Sequence, residues 1–247
     1  AAGKAVAEKA GALAKKTVLE LGGSDPYLVL ADADLELATE MCVKSRLINS
    51  GQSCIAAKRF VVVDAIHDAF VERFVERMNR AKMGDPMRDD TEVGPLARTD
   101  LRDALHDQVQ RTVEAGARCV LGGEIPEKDG AWYPPTVLVD VSPGMPAYGE
   151  ELFGPVAAVI RVRDEEAAIK VANDTSFGLG AAIFTRDNER GERIARDRLE
   201  AGSCFVNALV KSDPRLPFGG IKESGYGREL SDLGIREFVN AKTVWVR

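Results

Sequence analysis

Residues 60–78 read FVVVDAIHDAFVERFVERM, and this stretch decides the fold. Phe60-Val61-Val62-Val63 is an unbroken apolar run of aromatic and β-branched residues, the composition of a strand buried on both faces. Directly after it Ile66, Phe70, Phe74 and Met78 recur at intervals of four, with Glu72, Arg73, Glu76 and Arg77 between them. That spacing lays the apolar set along one stripe of a helix. A buried strand running into an amphipathic helix is half of a βαβ unit.

The alternation continues on both sides. Leu35 to Leu47 has helical character. Thr99, expected as an N-cap, opens a helix through Leu101, Leu105, Val109 and Val113 that stops at Gly116, a C′ glycine. Further units follow: Arg118–Leu121 as strand, Val156–Val162 as strand, Asp164–Ala172 as helix, Gly180–Thr185 as strand, Asn188–Leu199 as helix and Cys204–Asn207 as strand. The pattern predicts an α/β fold with a mostly parallel sheet flanked by helices. Residues 1–12 start inside a helix-like segment with no strand before it, so a missing N-terminal part is expected. Thr243–Val246 alternates like an edge strand, which suits pairing with another subunit.

Composition narrows the function. The chain has 247 residues, 45% hydrophobic and 29% charged, with 33 basic against 39 acidic residues and a net charge of −6. This balance gives no electrostatic footprint for nucleic acid or an anionic membrane. The longest apolar runs fall far short of the roughly 20 residues that span a bilayer, and no signal peptide is read. Cys42, Cys54, Cys119 and Cys204 are scattered, with no zinc-type spacing, so a reduced, cytoplasmic protein without metal is expected. Only His67 and His106 could serve as imidazole bases, which moves carboxylates and thiols up the list.

Cys54 ends the small polar turn Asn49-Ser50-Gly51-Gln52-Ser53-Cys54. It is a candidate nucleophile there, because nearby backbone N–H groups could hold an oxyanion; alternatively it is a small buried hydrophobe. Cys42, Cys119 and Cys204 lie within regular apolar segments and suit the buried reading better. Glu20 ends the apolar run Thr17-Val18-Leu19 and is followed by Leu21-Gly22-Gly23. Partly desolvated, it would be a general base; otherwise it is a solvated strand end. Glu151, in Gly149-Glu150-Glu151-Leu152-Phe153-Gly154-Pro155, could accept hydrogen bonds from a ribose or could simply face solvent. The glycine-dense stretch Pro217 to Glu229 matches neither a dinucleotide fingerprint nor a P-loop and reads as a loop closing a pocket.

Taken in order, Leu19-Glu20-Leu21-Gly22-Gly23, Gly51-Gln52-Ser53-Cys54, Glu151-Leu152-Phe153-Gly154-Pro155 and Pro217-Phe218-Gly219-Gly220 with Ser224-Gly225 and Gly227-Arg228-Glu229 resemble the signature set of the aldehyde dehydrogenase superfamily. The separation of Glu20 and Cys54 also fits. The resemblance covers essentially the whole chain and accounts for about the C-terminal, catalytic half of a usual member. It implies residues 1–21 as the end of a nucleotide-binding domain, 22–230 as a catalytic domain and 231–247 as a C-terminal segment with an oligomerisation strand. It further implies Cys54 as catalytic nucleophile, Glu20 as general base, Glu151 at the nicotinamide ribose, Phe153 beside the nicotinamide, and Leu21 and Gly22 at the cofactor, which is NAD or NADP.

Gly22-Gly23-Ser24-Asp25-Pro26, Gly94 to Arg98 and Asp100-Leu101-Arg102 look most like the bacterial succinate-semialdehyde dehydrogenase branch. A small carboxylate-bearing aldehyde would need a cation or hydroxyl at the pocket mouth, and Arg46 and Ser212 are the expected substrate ligands, with Lys211 and Arg215 also available. Ile48, however, stands where other members of that activity carry an arginine. A homodimer or homotetramer is expected. Two other readings remain: an isolated catalytic and assembly domain without activity of its own, and a thiol hydrolase acting on esters.

Overall fold

A strand such as Phe60–Val63 has no polar face to offer water, so it must be covered on both sides, and helices do so here. The computed structural model describes residues 2–247. Its elements run α1 (Ala2–Ala12), β1 (Leu19–Glu20), β2 (Pro26–Val29), α2 (Leu35–Leu47), β3 (Arg59–Val63), α3 (Asp64–Arg80), α4 (Thr99–Glu114), β4 (Arg118–Leu121), β5 (Thr136–Val139), α5 (Pro146–Gly149), β6 (Val156–Val162), α6 (Glu165–Asn173), β7 (Gly180–Phe184), α7 (Asn188–Asp197), β8 (Ser203–Val206), β9 (Gly225–Tyr226) and α8 (Ser231–Glu237). Seven strands form one sheet in the order β4-β5-β6-β3-β2-β7-β8. Every neighbouring pair in it is parallel except β4–β5. The mostly parallel α/β architecture is therefore the one the sequence predicts.

Successive residues of β3 feed opposite layers of core. Phe60 and Val62 pack with Cys42 of α2 and with Phe70, Phe74 and Met78 of α3. Val61 and Val63 pack with Leu105 and Val109 of α4, Ile169 of α6 and Ile194 of α7. The stripe read from the sequence is thus the buried face of α3, where Phe74 lies 4.8 Å from Phe60 and 5.3 Å from Phe70, ring centre to ring centre. Asp34 caps α2 through the amides of Glu36 and Leu37, and Asp164 caps α6 through Ala167.

Several expectations need correction. Thr99 is not a cap: extended Arg98 precedes the helix and Thr99 is its first turn. Arg118–Leu121 is a strand, but it runs antiparallel to β5, which the sequence reading missed, and forms an edge whose side chains are exposed on both faces. Cys119 is accordingly exposed rather than buried, whereas Cys42 is fully enclosed. Thr243–Val246 pairs with no strand within this chain, and Val244, Trp245 and Val246 are exposed; the expected pairing is with another subunit. No helix is long and apolar enough to cross a membrane among the described residues.

The register of the sheet sets what can meet. Pro26 of β2 aligns with Arg59 of β3, Arg59 aligns with Ala158 of β6, and Tyr27 aligns with Ala182 of β7. The segments that enter these strands are therefore brought side by side at the amino edge of the sheet. They carry Glu20 to Asp25, Cys54 to Lys58, and Glu151 to Phe153. Open α/β sheets more often hold ligands at the carboxyl edge.

Candidate active site

Glu20 is held by a two-stranded ribbon separate from the main sheet, in which Leu19 pairs with Tyr226 and Glu20 with Gly225. The glycine-dense stretch folds back over it: a Cβ on Gly219 would stand 3.0 Å from the Glu20 carboxylate. Both carboxylate oxygens are buried and neither completes a hydrogen bond. Burial raises the Glu20 pKa first, and the charge of Glu229 adds to it, while the Gly220 amide and Arg228 offset part of the rise.

The two glycines after Leu21 have separate reasons to be glycine. A Cβ on Gly22 would run into the Glu151 carboxylate, and one on Gly23 would stand 2.8 Å from the Cys54 carbonyl oxygen. Instead the bare Gly23 amide donates to Glu151 Oε1 at 2.9 Å, and Ser224 Oγ donates to the Gly22 carbonyl at 2.7 Å. Residues far apart in the chain thus converge on one dipeptide.

The Cys54 turn is built on unusual backbone. Asn49, Ser50 and Gly51 all have positive φ, and a Cβ on Gly51 would collide with the Gly154 carbonyl just before β6. Gln52 Oε1 accepts from the Ala97 amide at 2.8 Å and Ser50 Oγ from the Gly94 amide at 2.9 Å. Ser53 to Ala56 then closes a turn, with the Ala56 amide donating to the Ser53 carbonyl at 3.2 Å. Cys54 is partly buried. Burial raises its thiol pKa first; Lys58 and the Ile55 amide lower it, and Asp25 and Glu20 raise it. Glu20 and Cys54 are thus each raised by burial, and the charge of Glu20 adds to the rise at the thiol.

Two residues that the sequence reading passed over lie under this turn. Lys58 has no solvent exposure, and its ammonium donates to the Ser53 carbonyl at 3.0 Å and the Cys54 carbonyl at 2.8 Å, with Glu151 Oε1 3.4 Å away. Burial lowers its pKa to about 8, with Arg46 also disfavouring the charge and Asp25 and Glu151 supporting it. Asp25 is buried, accepts from the Gly180 amide at 3.0 Å, and has its pKa raised to about 6, chiefly by burial. A signal was present in the sequence: Lys58-Arg59 opens a strand buried on both faces, and cations there must find internal partners. Neither histidine joins the group, since His67 pairs with Asp68 and His106 with Tyr133.

A cleft of about 530 Å³ opens beside Glu151. Leu21, Gly22 and Glu151, all expected at a cofactor, line it together with Gly3, Phe177 and Tyr226. Phe153 is half-exposed, with the Lys58 ammonium 6.0 Å from its ring centre. The two expected substrate ligands are placed differently. Arg46 is fully buried and donates to the Gly51 carbonyl at 2.8 Å and the Val156 carbonyl at 3.2 Å, bracing the turn from beneath instead of standing at a pocket mouth. Its pKa is lowered to about 9 by burial, and the charges of Glu151 and Asp25 oppose that fall. Ser212 is exposed on the segment after β8, outside the cleft, and Arg215 is paired with Asp213.

With this geometry in hand, likeness to known proteins is informative. The sequence pattern of the Aldehyde dehydrogenase family matches residues 1–244. The chain is 53% identical over 244 residues to the NAD(P)+ succinate semialdehyde dehydrogenase Sad of Escherichia coli (strain K12), covering 99% of this chain and 53% of that protein. It is 51% identical over 245 residues to the NADP(+) succinate-semialdehyde dehydrogenase of Mycolicibacterium paratuberculosis, covering 99% of this chain and 52% of that one. Among solved structures, succinic semialdehyde dehydrogenase from Streptococcus pyogenes in complex with NADP+ superposes with a TM-score of 0.96 at 42% identity, over 99% of this chain and 54% of that chain. Lactaldehyde dehydrogenase from Escherichia coli gives 0.95 at 38% identity, over 99% and 51%. The chain spans about half the length of the curated relatives it matches.

Proposed function

The chain belongs to the aldehyde dehydrogenase family, and from that premise we propose that it carries the chemistry oxidising an aldehyde to a carboxylic acid with NAD or NADP, through a thioester on Cys54. The observation that carries this reading is the convergence on Gly22-Gly23: Glu151 accepts from the Gly23 amide, and the Cys54 carbonyl packs against the same glycine, directly after Glu20 and Leu21. Residues 22–230 form the catalytic unit in this reading.

The cleft suits a nicotinamide dinucleotide. Its volume falls within the roughly 300–1,000 Å³ of small-molecule sites, the Glu151 carboxylate on its wall can accept from ribose hydroxyls, and Gly22 leaves free the space a Cβ would fill. Glu151, Leu21 and Gly22 would hold the cofactor, with Phe153 beside the nicotinamide. When bound, the cofactor supplies the two-electron acceptor that separates an aldehyde adduct from an acyl group.

The chain's own residues do the rest. Burial raises the Cys54 thiol, whose proton passes to solvent as the sulfur attacks; Glu20, also raised by burial, is suited to take a proton in the later hydrolysis. Cys54 sulfur bonds to the aldehyde carbon, and the Cys54 amide meets the charge that develops on oxygen. After oxidation to the thioester, Glu20 takes a proton from water, hydroxide adds to the acyl carbon, the carbon–sulfur bond breaks, and acid and thiol are released.

Succinate semialdehyde, or a similar small aldehyde, is the proposed substrate, supported by the activity named for the relatives. A homodimer or homotetramer is proposed as the working form, supported by the bare apolar residues Ile235, Phe238, Val244, Trp245 and Val246. The test is aldehyde-dependent reduction of NAD or NADP by the native-length polypeptide, beside its Cys54→Ala variant. Turnover should vanish in the variant; retained turnover overturns the assignment.

A further inference from the structure

We infer that Lys58 is a positioning residue for the oxyanion-binding amide: its buried ammonium pulls two consecutive peptide carbonyls of the Cys54 turn inward and so turns their amides toward the reacting sulfur. This rests on the thioester reading above. The physical basis is peptide geometry. In a trans peptide the C=O and N–H point in opposite directions. The Ser53 carbonyl shares its peptide with the Cys54 amide, and the Cys54 carbonyl shares its peptide with the Ile55 amide. Lys58 Nζ binds both carbonyls, at 3.0 and 2.8 Å, from within the protein. The Cys54 amide therefore faces away from the interior, where an oxyanion can form, and the Ile55 amide stands close enough to the sulfur to favour its thiolate.

The turn alone does not fix this orientation. Its closing hydrogen bond, Ala56 amide to Ser53 carbonyl, is long at 3.2 Å and leaves the Cys54 carbonyl without a backbone donor. Lys58 supplies that donor and doubles the hold on Ser53. Its third direction meets Glu151, and that ion pair fixes the ammonium laterally. Asp25 and Arg46 face it from the segments entering β2 and ending α2, and Glu151 from the segment entering β6.

A role in orienting an amide is separable from a role in activating the thiol. Acylation by p-nitrophenyl acetate needs no nicotinamide and builds an oxyanion, whereas alkylation by iodoacetamide consumes the same thiolate without building one. Both rates are measured against pH on the native-length polypeptide and compared per thiolate, for the parent, Lys58→Met and Lys58→Gln. We expect acylation per thiolate to fall between about 10-fold and about 100-fold in Lys58→Met, the scale of a misplaced oxyanion donor. Alkylation per thiolate should change little, while its pH profile moves upward as a nearby cation is lost. Lys58→Gln retains amide donors on a shorter stem and should show the same divergence, smaller. Equal falls in both reactions, or no fall, overturn the inference. So does failure of both variants to fold, which would make Lys58 a pillar of the fold. A burst of nitrophenol that survives Cys54→Ala removes the thioester reading itself.

Discussion

Replacing Arg46 by methionine distinguishes a brace from a substrate ligand. The substitution keeps most of the side-chain volume, so no large cavity opens, but it strips the donors from the carbonyls of Gly51 and Val156. Each buried acceptor left unpaired costs about 1–3 kcal/mol, and relief from holding a buried charge returns part of that. A net loss of about 2–4 kcal/mol follows. At roughly 2–4 °C per kcal/mol for a chain of this size, the thermal midpoint should drop by about 5–15 °C. Because Gly51 leads into the Cys54 turn, kcat should fall as well. The decisive assay is kcat/KM for succinate semialdehyde against that for butanal, a neutral aldehyde of the same length. A brace lowers both together, leaving their ratio within about twofold. A carboxylate ligand would lower only the first, by about tenfold or more, since a hydrogen bond to a charged group is worth about 1.5–3 kcal/mol. A selective loss with an unchanged midpoint would refute the structural role.

Glu20→Gln should keep the acylation burst with p-nitrophenyl acetate but slow steady-state release by about 10²- to 10⁴-fold; unchanged release would remove Glu20 as the base. In the parent, release should rise with pH above the ordinary glutamate value of 4.5, because burial raises the Glu20 pKa. Asp25, raised from 3.8 to about 6, holds its proton more tightly folded than unfolded, so the stability it contributes is full below 3.8 and is lost as pH rises to about 6. Relative to Asp25→Asn, the parent should therefore lose stability across that window in urea titrations, and a pH-independent difference would contradict the burial argument. Gly51→Ala combines φ of 77° with a clash against Gly154 and should destabilise by about 2 kcal/mol or more, measurable by thermal unfolding; wild-type stability would show that the turn can relax elsewhere.

How much was legible beforehand follows the range of the interactions. The stripe Phe70, Phe74, Met78 and the core strand Phe60–Val63 were readable because helical and strand periods are local properties of the chain. The antiparallel β4–β5 edge was not, because direction of pairing depends on what lies across the sheet. Motif order identified Glu20, Cys54 and Glu151 as candidates, and their three neighbourhoods meet at Gly22-Gly23, where the Gly23 amide donates to Glu151, 128 positions away, and the Cys54 carbonyl lies against the same glycine.

By itself, then, the sequence determined the α/β class, the family and the short motifs, since each is written in neighbouring residues. Only the tertiary structure decided that three strand-entry segments meet at the amino edge of the sheet, that Arg46 turns inward, and that Lys58 and Asp25 belong beneath the cysteine turn. The physical reason is desolvation. A buried cation or carboxylate is tolerable only where partners from elsewhere in the chain surround it, and parallel register, which no local pattern encodes, is what delivers those partners.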